Sequence, residues 1–162
     1  MATQMGTPTA DLPAELAGLP PCDQVGLVVR DLERAMAMYA PLFGPFTTMD
    51  GSVQQASYRG RLADVGLKIA YGRSGDLEIE LIEWTGGESP HREFIEAGRE
   101  GMHHFRFRVD DTDHWVEKLR PLGYEAIWYK RWSADTVFAY LERAGDPTLI
   151  EFLQMPAGGP GA

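Results

Sequence analysis

The chain has 162 residues, enough to bury one sizeable core and too few for two independent ones. Its 15 Lys and Arg against 24 Asp and Glu leave a formal charge of −9, which argues against nucleic acid or an anionic membrane as a partner, because both need a basic footprint. With 44% hydrophobic residues, no apolar run that spans a bilayer, no leader-like start, no Asn and one cysteine, Cys22, the expectation is a globular, cytoplasmic protein without internal disulfides or N-glycans.

Residues 1–21 read as an N-terminal tail. Residues 24–29 alternate as a strand, and Asp31 then stands where the N-cap of a helix near 32–43 belongs, with Pro41-Leu42-Phe43-Gly44 at its end. Strand candidates follow at 54–58, 66–71 and 77–84, the last two joined by the turn Gly72-Arg73-Ser74-Gly75-Asp76. A connector over 86–100 carries Gly86-Gly87-Glu88-Ser89-Pro90 and a short helix near 91–97. The pattern then starts again with a strand at 103–109, Asp111 as N-cap, a helix near 112–120 and Pro121-Leu122-Gly123. Strands at 125–129, 137–141 and 148–154 complete it, with Ala144-Gly145-Asp146-Pro147 as the last turn; residues 156–162 form a C-terminal tail. Asp31 and Asp111 are 80 apart, as are Pro41 and Pro121, so the two runs are in step. The expected architecture is α+β, one domain over 22–155 with βαβββ modules at 22–85 and 101–155, related by a pseudo-twofold axis and forming a curved mixed sheet around a central cavity.

One face of each module must pack on its helix. Val25, Leu27 and Val29, then Leu67, Ile69 and Tyr71, then Phe105, Phe107 and Val109 claim that side, which sends Gln24, Lys68, His104, Arg106 and Arg108 to the other. Glu80 and Glu151 lie inside apolar last strands, Leu-Glu-Ile-Glu-Leu-Ile and Thr-Leu-Ile-Glu-Phe-Leu, where a carboxylate is costly unless paired or metal-bound. Gln24 and His104 are equivalent in the repeat, as are Glu80 and Glu151, so the pseudo-twofold axis gathers all four. An amide oxygen, an imidazole nitrogen and two carboxylates make a plausible divalent-metal shell.

The same residues carry a resemblance. Asp23-Gln24-Val25 through Asp31-Leu32-Glu33, Glu88-Ser89-Pro90 through Gly101-Met102-His103-His104, and Leu149-Ile150-Glu151 resemble the vicinal oxygen chelate superfamily, which includes glyoxalase I, methylmalonyl-CoA epimerase, extradiol dioxygenases and antibiotic resistance proteins. The wording is nearest the epimerase branch and covers residues 22–155. The resemblance implies a glyoxalase-like fold with Gln24, Glu80, His104 and Glu151 holding one Zn, Ni, Co or Mn ion per chain, a homodimer, and a small-molecule carbonyl or thioester substrate. Two departures matter. Epimerases usually have histidine where Gln24 stands, so the quartet is closer to eukaryotic glyoxalase I; and Lys68 occupies the position matched to the epimerase carboxylate base.

The expected chemistry is enolisation next to a carbonyl by a metal-dependent isomerase, epimerase or lyase, with Glu151 or Glu80 as base, Lys68 as a further acid or base, and Arg106 binding a substrate carboxylate or enolate. Trp84, which shares the parity of Glu80, and Tyr140 are the aromatic candidates for substrate contact, within a cluster that includes Trp128, Tyr129, Trp132 and Phe138. His91 and His114 fall in segments away from the expected centre and stand outside the site. The competing readings are a binding or sequestering protein of the same fold and a glyoxalase I-type lactoylglutathione lyase.

Overall fold

Asp31 and Asp111 do start helices: their side chains accept hydrogen bonds from the amides of Arg34, at 2.9 Å, and His114, at 3.0 Å. In the computed structural model, which describes residues 14–157, the first helix α1 runs Leu32–Phe43, with Gly44 as its C-cap. A second helix, α2, spans Pro90–Glu96, and a third, α3, spans Thr112–Leu119 and passes into a 3-10 turn, Arg120–Leu122, that Gly123 ends at φ 88°.

The strands follow the expected order with one addition. They are β1 Gln24–Val29, β2 Thr47–Asp50, β3 Val53–Tyr58, β4 Arg61–Ser74, β5 Leu77–Gly87, β6 Gly101–Arg108, β7 Tyr124–Arg131, β8 Val137–Arg143 and β9 Leu149–Gln154. The additional strand is β2, whose residues Thr-Thr-Met-Asp are all exposed and so lack the apolar alternation that marks a strand. It pairs antiparallel with the outer stretch of β4, Asp50 opposite Lys68.

Pairing produces a ring. In the first half β1 lies parallel to β5, β5 antiparallel to β4, and β4 antiparallel to β3. The second half repeats this with β6, β9, β8 and β7. Antiparallel contacts β1 to β6 and β3 to β7 join the halves at two seams, so the mixed sheet curls into a barrel-like ring within one chain.

Helices α1 and α3 cover the outside of this ring. Leu32 and Ala35 of α1 pack on Val29, Ala70, Ile79 and Leu81, while Trp115 and Leu119 of α3 pack on Ala139, Leu141 and Phe152. Burying a side chain the size of Leu119 stabilises the fold by about 1.5–3 kcal/mol. Leu16 and Leu19 of the expected tail join the cluster under α3; residues 1–13 and 158–162 lie outside the described residues. Among the described residues no helix is long and apolar enough to cross a membrane.

The ring interior is also apolar, with Val28, Leu67, Ile69, Ile82, Phe138 and Tyr140 among its residues. That corrects the expected facing of β4. Leu67, Ile69 and Tyr71 point inward, Ala70 packs under α1, and Lys68 is exposed on the outer face. An apolar stripe shows that a side of a strand is buried and not what buries it, and here the ring interior, not α1, covers Leu67 and Ile69. Truncating either N-cap, Asp31→Ala or Asp111→Ala, is expected to cost about 1 kcal/mol, read as a lower urea midpoint with an unchanged slope.

Candidate metal centre

Four strands, β5, β1, β6 and β9, lie side by side and set the site by register. Gly26 of β1 faces Glu80 of β5 and His104 of β6, and Arg106 of β6 faces Glu151 of β9. The missing side chain of Gly26 makes room for the imidazole. A Cβ there would stand 2.0 Å from His104 Cε1 and 2.4 Å from Nε2. An isolated glycine within the strand Gln-Val-Gly-Leu-Val-Val is the sequence signal of such a close approach.

His104 Nε2 then sits among three oxygens: Glu151 Oε2 at 3.2 Å, Gln24 Oε1 at 3.3 Å and Glu80 Oε2 at 3.4 Å. All four side chains are buried. The ligand atoms of Glu80, His104 and Glu151 lie within 4.8 Å of one another. Glu80 Oε2 is buried with no well-formed hydrogen bond, as expected of an oxygen whose partner is a cation. This donor set fits a divalent ion. Burial opposes charge on His104, but hydrogen bonds and attraction from Glu151 and Glu80 outweigh it and push its pKa up to about 9. Burial raises that of Glu80, with His104 countering.

A second layer holds the ligands in place. Gln24 Nε2 donates to Glu78 Oε1 at 2.6 Å, which turns its amide oxygen towards His104. Glu78 in turn meets Arg106 at 3.3 Å, and Arg106 donates to both oxygens of Asp23 at 3.1 and 2.8 Å. Nδ1 of His104 lies 3.0 Å from Nδ1 of His103. Burial first, then the neighbouring His91 and His104, hold His103 well below the usual imidazole range, so it is neutral and accepts this bond. His103 reaches the interior beside His104 because the register slips there: Gly26 pairs with His104 and Leu27 with Met102, leaving His103 as the bulged residue.

The ligands open on a cavity of about 440 Å³. Arg106 and Tyr140 line it as expected, the Tyr140 ring 4.9 Å from that of His104. Arg106 is paired there with Asp23 and Glu78. Trp84 shares the inner face with Glu80 but lies outside the cavity lining and donates to the carbonyl of Gly87 at 3.2 Å. Lys68 is on the opposite side of the sheet, so the structure separates it from the quartet of Gln24, Glu80, His104 and Glu151.

Sequence reasoning missed three further residues. Tyr71 lines the cavity opposite Glu80 in register, as Tyr140 stands opposite Glu151; burial, and then the nearby glutamates, raise the pKa of both phenols. Glu78 faces Gln24. His91, expected outside the site, is fully buried, stacks on His103 at 4.9 Å and lines the cavity; burial and the charge of His104 push it down to about 3. His114 is exposed on α3, as expected. No signal in a short connector helix marks His91, whose place depends on how α2 folds over the ring.

Residues 23–140 match the family pattern described as the glyoxalase/bleomycin resistance protein/dioxygenase superfamily. The mitochondrial methylmalonyl-CoA epimerase of Homo sapiens is 28% identical over 109 residues, covering 64% of this chain and 57% of that protein. The chain thus matches little more than half the length of that relative. Among solved structures, a hypothetical protein from Bacillus halodurans superimposes with a TM-score of 0.61 at 22% identity, covering 84% of this chain and 94% of the other. A variant of Streptomyces coelicolor methylmalonyl-CoA epimerase in complex with 2-nitronate-propionyl-CoA gives 0.60 at 22%, covering 86% and 96%.

Two outcomes are expected from this geometry. Gly26→Ala pushes the imidazole aside, lowering stability by about 1–3 kcal/mol and divalent-ion affinity by at least about tenfold, read by calorimetry and urea unfolding. The raised His104 pKa stabilises the metal-free fold fully below its ordinary value of 6.5, and that contribution is lost as pH rises through about 9. Metal uptake at pH 7 therefore releases a proton, and affinity climbs with pH up to about 9, measurable by titration in buffers of different ionisation enthalpy.

Proposed function

Because the chain belongs to the glyoxalase/bleomycin resistance protein/dioxygenase superfamily, we propose that it is a divalent-metal-dependent isomerase, epimerase or lyase of the epimerase-like kind, acting through enolisation of a carbonyl or acyl-thioester compound. The observation that carries this reading is the buried quartet of Gln24, Glu80, His104 and Glu151 with an unsatisfied oxygen on Glu80.

When bound, the ion supplies Lewis-acid polarisation of the substrate carbonyl. The chain's own groups do the rest. Glu151 and Glu80 present carboxylate oxygens on two sides of His104, and one of them takes the proton next to the carbonyl and returns it to the enolate. His103 keeps the proton of His104 on Nδ1, which leaves Nε2 facing the acids. Tyr71 and Tyr140, held protonated, present hydroxyl donors next to the same carboxylates.

No carboxylate points inward from β4, whose inner positions are Leu67, Ile69 and Tyr71. A base on that strand therefore has no counterpart here, and the last-strand glutamates take its place in the proposed chemistry. The reading includes a cytoplasmic homodimer, although one chain supplies all four ligands and the ring closes without a partner.

Solvent deuterium exchange into 2-oxo compounds and acyl-CoA thioesters, followed by NMR, tests the proposal. Glu151→Gln and His104→Ala are expected to slow exchange by about 10²–10⁴-fold. Exchange unchanged in both variants, or no uptake of Zn, Ni, Co or Mn by the protein, would overturn it.

A further inference from the structure

The cavity beside the metal ligands carries two large apolar side chains at its exposed end. Of the residues lining it, Met49, Asp50, Ser52 and Trp132 are exposed and so form its rim. Trp132, in the turn between β7 and β8, is 52% exposed, and Met49 of β2 is 42% exposed. A single exposed apolar side chain is ordinary, but two on the rim of the cavity that holds Glu80 and Glu151 make an apolar entrance.

From Trp132 a file of rings runs inward. Its indole lies 5.3 Å from the ring of Phe138, Phe138 lies 6.0 Å from Tyr140, and Tyr140 lies 4.9 Å from His104. Trp132, Phe138 and Tyr140 all line the cavity. Alternation along β8 turns positions 138 and 140 to one side, and the antiparallel pairing of β7 with β8 brings Trp132 to the same wall, its amide donating to the carbonyl of Thr136 at 3.0 Å. An aromatic surface thus leads from solvent to an imidazole of the metal centre, and ring faces and edges are what a flat, aromatic ligand packs against.

Charge narrows the class. The charged residue of the rim is Asp50, which accepts from the amide of Ser52 at 2.9 Å; hydrogen bonds from Ser52 lower its pKa and keep it ionised. Among the described residues the one Lys or Arg in the lining is Arg106, buried and paired with Asp23 and Glu78. Lys130 stands outside the lining, its Nζ 6.0 Å from the Trp132 ring centroid, and donates to the carbonyl of Gln54. A phosphate or carboxylate held at the rim would meet an indole, a thioether and a like charge. An uncharged body with flat rings fits that rim.

We propose that Trp132 determines specificity by packing against the outer ring of an uncharged aromatic carbonyl compound whose carbonyl end reaches the metal ligands, so that the site disfavours phosphate-bearing thioesters. The proposal deepens the enolisation reading and rests on it only for which end of the ligand lies innermost.

Butane-2,3-dione, 1-phenylpropane-1,2-dione and 1-(naphthalen-2-yl)propane-1,2-dione share a diketone and carry no ring, one ring and two fused rings; propionyl-CoA supplies the phosphate-bearing thioester. Calorimetric titration of the purified protein is expected to rank the naphthyl compound tightest, the phenyl compound about tenfold weaker, equivalent to about 1.4 kcal/mol, and propionyl-CoA weakest. Trp132→Ala removes the gain from the second ring and leaves the affinity for butane-2,3-dione unchanged, while Trp132→Phe keeps most of that gain. Trp132 is half-exposed, so both variants are expected to fold, and the wild-type ranking decides the matter where one does not. A naphthyl compound no tighter than the phenyl one, a second-ring gain that survives in Trp132→Ala, tightest binding by propionyl-CoA, or binding of none at millimolar concentration overturns the proposal. Binding heat is independent of turnover. Ranked binding without solvent exchange therefore sinks the enolisation reading alone, and exchange without the ranking sinks the role of Trp132 alone.

Discussion

Three glutamates, Glu78, Glu80 and Glu151, are taken out of water where β5, β1, β6 and β9 run side by side, and a buried carboxylate keeps its charge only beside a cation. Arg106 answers Glu78. His104 answers Glu80 and Glu151 and is raised by them in return, yet Oε2 of Glu80 still lacks a well-formed hydrogen bond. Much of the local design follows from that imbalance. The absence of a side chain at Gly26 admits the imidazole, Glu78 orients the Gln24 amide, and Asp23 pins Arg106. Each arrangement is one that a divalent ion at the centre would reward and that a dry, metal-free core would find costly.

Ring closure is what makes the imbalance tolerable. Seams between β1 and β6 and between β3 and β7 shut the sheet on itself, so the buried carboxylates sit at the inner end of a cavity with many apolar wall residues. Inside that low-dielectric space electrostatic effects are larger than in water. The same wall keeps the phenols of Tyr71 and Tyr140 protonated and His91 neutral. The site therefore combines a buried acidic centre with uncharged polar groups around it.

Pseudo-symmetry explains both the resemblance between the halves and their differences. Gln24 and His104 occupy equivalent places, as do Glu80 and Glu151, and Tyr71 and Tyr140. Arg106 corresponds to Gly26, and that break in symmetry has a steric consequence: one half provides the bulky imidazole and a guanidinium, the other provides the space. The bulge at His103 is a second break, turning two consecutive histidines into the interior where a regular strand would show only one.

Much of the fold was legible from sequence because its signals are local. Asp31 and Asp111 cap helices through bonds spanning three residues, alternation in 24–29 and 103–109 marks strands, and the offset of 80 exposes the repeat. The meeting of Gln24, Glu80, His104 and Glu151 followed from that repeat, since residues equivalent by symmetry meet at the axis. Other features are set by contacts between distant segments. Lys68 and Tyr71 exchanged faces because the stripe of Leu67, Ile69 and Tyr71 turns into the ring, and an apolar stripe cannot say which neighbour buries it. His91 and His103 entered the site through the placement of α2 and a slipped register, neither of which leaves a periodic mark on the chain. Sequence alone determined the modules, the caps and the charged candidates; tertiary packing decided which faces turn inward, because that choice depends on the closed ring and not on any one strand.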